Sequence, residues 1–314
     1  MNNDIKDIVR EYASNNSVKD TLEMFSGIVS KPTLYRWLAE DKLSCAYTQD
    51  QCLTEWKSFK IRPGNYDSAP RNNRLVLTHQ PHFYHIEQEL YKDKSIKKKL
   101  IANRIKYLFK DKFSDRELLR GFKISGIHIG YSHFSSFWFK KFIEDNNIKS
   151  VYDPCGGWGH RFIGAAACGV TYIYNDKWDL SVKGVKDISK LISVPVTVYN
   201  NDCTNFTPLE DYECVFTCPP YYNVEVYSDA GFKGIADYSE FIRKMFQCSI
   251  KQSTHIVGIV INDTFKSIIV NEIGDSFKLT EEIVLGSTRS VSHFNKLNTV
   301  KQEVLLVFRR CASI

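Results

Sequence analysis

Two short stretches combine residue types that can do chemistry at the ends of strands. The first is Asp153-Pro154-Cys155-Gly156-Gly157-Trp158-Gly159. An acid at a strand end followed by close-set glycines lets a cofactor lie directly against backbone, with the N-terminus of the next helix beneath it. The second is Thr217-Cys218-Pro219-Pro220-Tyr221, directly after the apolar run Cys214–Phe216. Two prolines fix the backbone and leave their carbonyls outside strand pairing, so a rigid acceptor can be aimed at an amino group while Tyr221 stacks on a base. Either stretch alone is more often an ordinary turn; their order along one strand and helix pattern gives them weight. Asp176, after TYIY, falls at a strand end where a carboxylate can accept from ribose hydroxyls, and Asp202, in YNNDC, falls at the end of a third strand.

The elements that must position these residues begin near residue 126. Phe137 to Phe142 reads as an apolar-faced helix, SVYDP as a strand entering a turn, FIGAAACG as a helix, TYIYND as a strand, LSVKGVKDISKLI as a helix and ECVFTCPP as a strand. YSEFIRKMFQCSI (helix), HIVGIVIND (strand) and QEVLLVFRR (strand) follow. Repeated strand and helix units predict an α/β fold with a mainly parallel, doubly wound sheet whose ligands sit at the C-terminal strand ends.

The N-terminal region has a different grammar. Ile5, Ile8, Val9 and Tyr12 lie at helical spacing, and a second helix is expected after Ser17 with Val18, Leu22 and Phe25 inward. Ser30 as N-cap and Pro32 in the first turn open a third helix with Leu34, Trp37 and Leu38 on one face. This layout, with SKPTLYRWL at the third helix, resembles the helix-turn-helix units of transposases, resolvases and phage regulators. It implies a small DNA-binding domain over residues 1–44 that presents Lys31, Thr33, Tyr35 and Arg36 to the major groove. The alternative is a helical cap whose Trp37 fills a core. Residues 44–90, punctuated by Arg62-Pro63-Gly64 and Ala69-Pro70, read as a linker or extended connection. His79, His82 and His85 have suggestive spacing, but Pro81 interrupts any shared face and no acid or thiol cluster joins them, so no metal is expected.

Charge separates the two regions. The net charge is +6, and residues 1–123 hold 23 Lys/Arg against 16 Asp/Glu, leaving the rest near neutral. The excess concentrates between Lys92 and Lys123, with twelve basic residues, among them Lys97, Lys98, Lys99 and Arg104, against four acids. A charge run is usually a solvated helix face; beside a helix-turn-helix it suits a polyanion, so double-stranded DNA is the expected partner. No apolar run approaches the ~18 residues of a membrane span, the polar start Met1 to Arg10 does not read as a signal peptide, and the nine cysteines form no Cys-x-x-Cys pair. A cytoplasmic chain with reduced thiols is expected.

With both motifs in this order, residues 120–310 resemble the class I amino-methyltransferases that act on adenine N6 or cytosine N4 of DNA, phage-borne members included. The resemblance implies a Rossmann-like methyltransferase domain over 124–314, preceded by a linker and basic helical region over 45–123. It implies S-adenosyl-L-methionine as cofactor, bound by the turn containing Asp153, Cys155, Gly156, Gly157 and Gly159, with Asp176 on the ribose and Asp202 near the adenine. Tyr131, Ser132, His133 and Phe134 match the family element that closes over the methionine end. The tetrapeptide (Asn/Asp/Ser)-Pro-Pro-(Tyr/Phe) corresponds to Cys218, Pro219, Pro220 and Tyr221 as catalytic residues.

Cys218 departs from that pattern, because a thiol is a poorer acceptor than an amide or carboxylate. The Pro219 carbonyl still accepts an amino proton, so transfer to a flipped-out base stacked on Tyr221 is the expected reaction. Adenine and cytosine both stay open, as do an RNA or other amino-methyltransferase and a non-catalytic DNA-binding regulator. Attack by Cys218 on a pyrimidine ring is disfavoured, since cytosine-C5 enzymes place their cysteine after a proline. His160 and Arg161 face either cofactor or solvent, Cys155 and Cys203 are expected to pack, and Asn262-Asp263 either lines a base pocket or starts a turn.

Overall fold

The computed structural model describes residues 5, 8–9, 11–12, 18–25, 27–29, 47–66, 74–80, 134–220, 222, 232–285 and 303–311. The chain divides into two compact units, one comprising Met1–Ala46, Pro81–Ile129 and Val291–Leu297, the other Tyr47–Gln80, Gly130–Ser290 and Asn298–Ile314. In the first, helix α1 (Val18–Phe25) occurs where the sequence predicts its second helix. The Phe25 ring meets Tyr12 edge-on at 5.4 Å, and Val9 is buried. The residues expected to contact DNA (Lys31, Thr33, Tyr35, Arg36, Lys97, Lys98, Lys99 and Arg104) lie outside the described residues, as do His82 and His85.

The second unit is built on a seven-stranded sheet in the order β3-β2-β1-β4-β5-β7-β6. Its strands are β1 (Ser150–Asp153), β2 (Thr171–Asn175), β3 (Thr197–Tyr199), β4 (Cys214–Thr217), β5 (Ile256–Asn262), β6 (Phe277–Val284) and β7 (Glu303–Arg310). β1 to β5 pair in parallel and β7 runs antiparallel to both neighbours. Every residue of β4 and β5 is buried, which is why these strands read as continuous apolar runs: helices cover both faces of a parallel sheet. β6 is mostly exposed and carries Thr280, Glu281 and Glu282, so its sequence lacks that signature.

Helices α4 (Ser136–Asn146), α5 (His160–Cys168), α6 (Asp179–Ile192), α7 (Ile235–Ser249) and α8 (Lys266–Glu272) complete the doubly wound arrangement, after α2 (Gln49–Ile61) and α3 (Arg74–His79). On one side Phe139 and Phe142 of α4 lie 4.4 and 4.7 Å from the Phe216 ring of β4. Elsewhere in the core Tyr238, Ile242, Met245 and Phe246 of α7 pack with Tyr152, Val215, Val257 and Ile259 of the strands.

The reading of residues 44–90 as linker is corrected over Tyr47–Gln80. Thr48 and Gln51 form a reciprocal capping box that starts α2, and Trp56 and Phe59 are buried. Phe59 meets Phe137 of α4 at 4.6 Å, while the Lys140 ammonium donates to the carbonyls of Lys60 (2.8 Å) and Arg62 (2.6 Å). Buried Gln80 donates from Nε2 to the carbonyls of Trp158 and Ser181, at 3.2 and 3.1 Å. The breaker Arg62-Pro63-Gly64 does end a helix, but polar caps and scattered aromatics hid the helices on either side. Tyr47–Gln80 therefore belongs to the sheet unit.

Phe216→Ala removes the ring at the centre of the α4 contact and is expected to cost about 3–5 kcal/mol in urea denaturation followed by circular dichroism. A loss below about 1 kcal/mol would place this cluster outside the cooperative core.

Candidate functional site

The strand order reverses between β1 and β4, the topological switch point at which open α/β sheets leave a crevice beyond their carboxyl ends. Both motifs converge there. β1 and β4 pair through Val151 with Cys214 and Tyr152 with Val215, so the glycine turn leaving β1 and Cys218-Pro219-Pro220 leaving β4 emerge from neighbouring strands.

The turn is shaped by its side-chain neighbours. Gly156 N–H donates to the Asn175 carbonyl (2.8 Å), and a Cβ on Gly156 would meet the Tyr174 ring at 2.1 Å, so only glycine passes beneath that ring. Gly157 and Gly159 have φ of 59° and 90°, the left-handed region that favours glycine. Gly157 N–H donates to Asp176 Oδ2 (2.8 Å), and its carbonyl accepts from the Tyr174 hydroxyl (2.6 Å). Burial pushes the Tyr174 phenol well up, so it remains a donor.

Asp153 is fully buried and committed within the protein. Its Oδ2 accepts from Arg161 Nε at 2.6 Å and from the Tyr172 hydroxyl at 2.5 Å. Arg161 also donates to the Cys155 carbonyl, and its guanidinium lies 5.2 Å from the Phe134 ring centre. Burial disfavours the arginine charge, but Asp153 foremost, then Tyr172 and Cys218, hold its pKa above the ordinary value. His160 and Arg161 are both buried, which removes the solvated alternative for them. Sequence reasoning missed the Asp153–Arg161–Tyr172 network; the signal was a lone arginine in the first turn of a mostly apolar helix.

Asp176 stands half-buried at the end of β2. Burial raises its pKa, and the N–H groups of Trp178 and Gly157 only partly offset that. Each carboxylate oxygen receives one of those N–H groups, so further acceptor capacity remains for hydroxyls. Asp202, beyond β3, accepts on Oδ1 from the Thr204 N–H and hydroxyl and on Oδ2 from Lys177 at 3.1 Å. Burial opposes its ionisation, yet these bonds lower its pKa. Asn175 joins the two loops, donating from Nδ2 to the carbonyls of Pro154 (3.1 Å) and Asn201 (3.0 Å) and accepting on Oδ1 from Asn201 N–H (3.0 Å).

On the β4 side, Pro219 is buried, and Cys218 and Pro220 are half-buried. Cys218 packs on the same core cluster as Cys155 and Tyr222. Beyond it Tyr222 lies 5.9 Å from Tyr238 and 6.0 Å from Phe265, an aromatic wall that the sequence did not announce. Phe134 rests on Phe216 (6.1 Å) and Trp138 (5.7 Å), next to the glycine turn. Tyr131, Ser132, His133 and Tyr221 lie outside the described residues. Asn262 accepts on Oδ1 from Thr264 N–H (3.1 Å), the geometry of a residue that starts a turn.

No family model and no curated protein matches the chain. It is similar to solved structures that include TrmN from Thermus thermophilus, at 11% identity over 57% of this chain and 49% of that one, with a TM-score of 0.40. Others are an S-adenosylmethionine-dependent methyltransferase from Clostridium acetobutylicum ATCC 824 (8% identity, 56% of this chain, 91% of that one, TM-score 0.41) and the tRNA (uracil-54, C5)-methyltransferase of Pyrococcus abyssi in complex with S-adenosyl-L-homocysteine (9%, 57%, 40%, 0.39). The chain thus spans about half the length of TrmN.

Arg161→Met leaves the Asp153 carboxylate buried without its cation and is expected to cost about 3–5 kcal/mol in urea denaturation. Adding Asp153→Leu should recover part of that loss; no recovery would mean that the pair is not coupled. Asp176 yields a pH signature. Its folded pKa is raised above 3.8, so the stability it contributes is full below that value and lost as pH rises through the folded value. The stability of the parent minus that of Asp176→Asn should therefore fall as pH rises above about 3.8. A rising difference would show that the two N–H bonds outweigh burial.

Proposed function

We propose that this chain is an S-adenosylmethionine-dependent methyltransferase acting on the exocyclic amino group of adenine or cytosine in DNA. The observation that carries the reading is the emergence of the glycine turn and Cys218-Pro219-Pro220 from the paired strands β1 and β4 at the switch point. The residues present fit the cofactor: around a Cβ placed on Gly157, among the described residues, nothing but Arg161 Nη2 and the Cys155 carbonyl comes within 4 Å, both at 3.9 Å, which leaves room over the turn. Asp176 would hold the ribose hydroxyls, Asp202 would face the adenine, and Tyr131, Ser132, His133 and Phe134 would cover the methionine end. Bound there, S-adenosylmethionine supplies an electrophilic methyl group on its sulfonium.

The chain's own task is then to present a nitrogen lone pair. The Pro219 carbonyl accepts one amino proton, Cys218 is a weak second acceptor, and Tyr221 gives the base a face to stack on. Positioning and exclusion of water supply most of the rate, with no covalent enzyme adduct. Asp153, committed to Arg161, shapes the turn. DNA as substrate is supported by the sequence pattern of residues 1–44, of which the helix Val18–Phe25 is described, and by the basic run Lys92–Lys123, which would bind phosphates irrespective of sequence.

The test is transfer of labelled methyl groups to duplex DNA, single-stranded DNA and RNA, followed by nucleoside analysis. N6-methyladenine or N4-methylcytosine from DNA is the expected product; transfer to RNA alone would move the substrate class, and none at all would favour a non-catalytic regulator. Tyr221→Ala is expected to lower transfer about 10- to 100-fold, the worth of one stacked base, while cofactor affinity is unchanged. A fully active Tyr221→Ala protein would remove the stacking role.

A further inference from the structure

Where the glycine turn meets the loop after β3, two free thiols touch. Cys155 Sγ and Cys203 Sγ are 3.6 Å apart, in contact but beyond the S–S bond of about 2.05 Å. Cys155 sits between Pro154 and Gly156 and is half-buried; Cys203 follows Asp202 and is 6% exposed. The Asn175 side chain, bonded to Pro154 and to Asn201, spans both loops and keeps the sulfurs facing. Met245 Sδ closes one side at 3.9 Å from Cys155 Sγ. Tyr152, fully buried in the same sulfur-lined region, has a hydroxyl with no hydrogen-bond partner among the described residues.

We propose that Cys155 and Cys203 are a site of reversible oxidation, in which hydrogen peroxide forms a disulfide that pins the glycine turn to the β3 loop and closes the candidate cofactor cleft. The inference rests on the reading of that cleft given above. The more exposed Cys155 reacts first: its thiolate attacks one peroxide oxygen, an S–O bond forms, the O–O bond breaks, and hydroxide leaves and is protonated to water. The Cys203 thiolate then attacks the sulfenic sulfur, an S–S bond forms, the S–O bond breaks, and a second water leaves. Two thiols lose two protons and two electrons, and one peroxide becomes two waters.

Forming the bond draws the sulfurs together by about 1.5 Å. Gly156 and Gly157 on one loop and Asp202 on the other flank the cleft, so their spacing changes with it, and an error of ~1 Å is enough to spoil a positioned ligand. The Cys203 contact and burial push the Cys155 thiol well up, so the pair answers slowly, to sustained peroxide. Two other half-buried thiols among the described residues could compete: Cys248, which senses Cys203, and Cys218, which packs on the same core cluster.

The experiment compares the reduced full-length chain with chain treated with hydrogen peroxide, by non-reducing peptide mapping and by calorimetric titration with S-adenosylhomocysteine. A Cys155–Cys203 linked peptide is expected, with affinity weakened by about tenfold or more and restored by dithiothreitol. Cys203→Ser should bind like the reduced parent and ignore peroxide, while Cys248→Ser should still form the link. A Cys203–Cys248 link, no link, or unchanged affinity in the linked protein would overturn the proposal. If the reduced parent does not bind S-adenosylhomocysteine, it is the cofactor reading that fails, and mapping alone decides whether the disulfide exists.

Discussion

The buried ion pair between Asp153 and Arg161 is the interaction on which the functional end of the sheet depends. It joins the last residue of β1 to the first turn of α5, engages the Tyr172 hydroxyl from β2, and holds the Cys155 carbonyl from within the turn. Net stabilisation from such a pair is small, because taking both charges out of water cancels most of the attraction. Its effect is one of register. With the acid satisfied internally, the path of the turn is tied to the first turn of α5 and to β2.

The two sides of the crevice are built differently. On the β1–β3 side, backbone and short polar side chains cross-link one another, and Asn175 alone makes three bonds to two loops. On the β4–β5 side the wall is aromatic: Tyr222, Phe232, Tyr238 and Phe265 contact through ring edges and tilted faces. Hydrogen-bonded loops suit a ligand of fixed shape and many polar groups. An apolar aromatic wall suits a flat group that enters and leaves.

How far the sequence was legible follows from which physical signal each element carries. β1, β2, β4, β5 and β7 are buried on both faces and stand out as apolar runs, and α6 shows a clean inward stripe of Val182, Val185, Ile188 and Ile192. β6 escaped because an exposed edge strand tolerates Glu281 and Glu282, and α2 escaped because its buried residues Cys52, Trp56 and Phe59 are sparse among polar ones. The site was legible where backbone need dictates residue type, as at Gly157 and Gly159. It was illegible where partners lie far apart in sequence: nothing local pairs Tyr172 with Asp153 or Cys203 with Cys155.

The buried ammonium of Lys140 sets the smallest piece of this protein that can stand alone. Lys140 is 5% exposed, and its two carbonyl acceptors belong to Lys60 and Arg62, at the end of α2. A fragment starting at residue 124 would remove both acceptors, leave that charge with Glu144 at 3.9 Å, and uncover the Phe137 face that Phe59 occupies. Cutting before Tyr47 instead keeps both acceptors. The sheet unit therefore begins well upstream of its first strand, with α2 and α3.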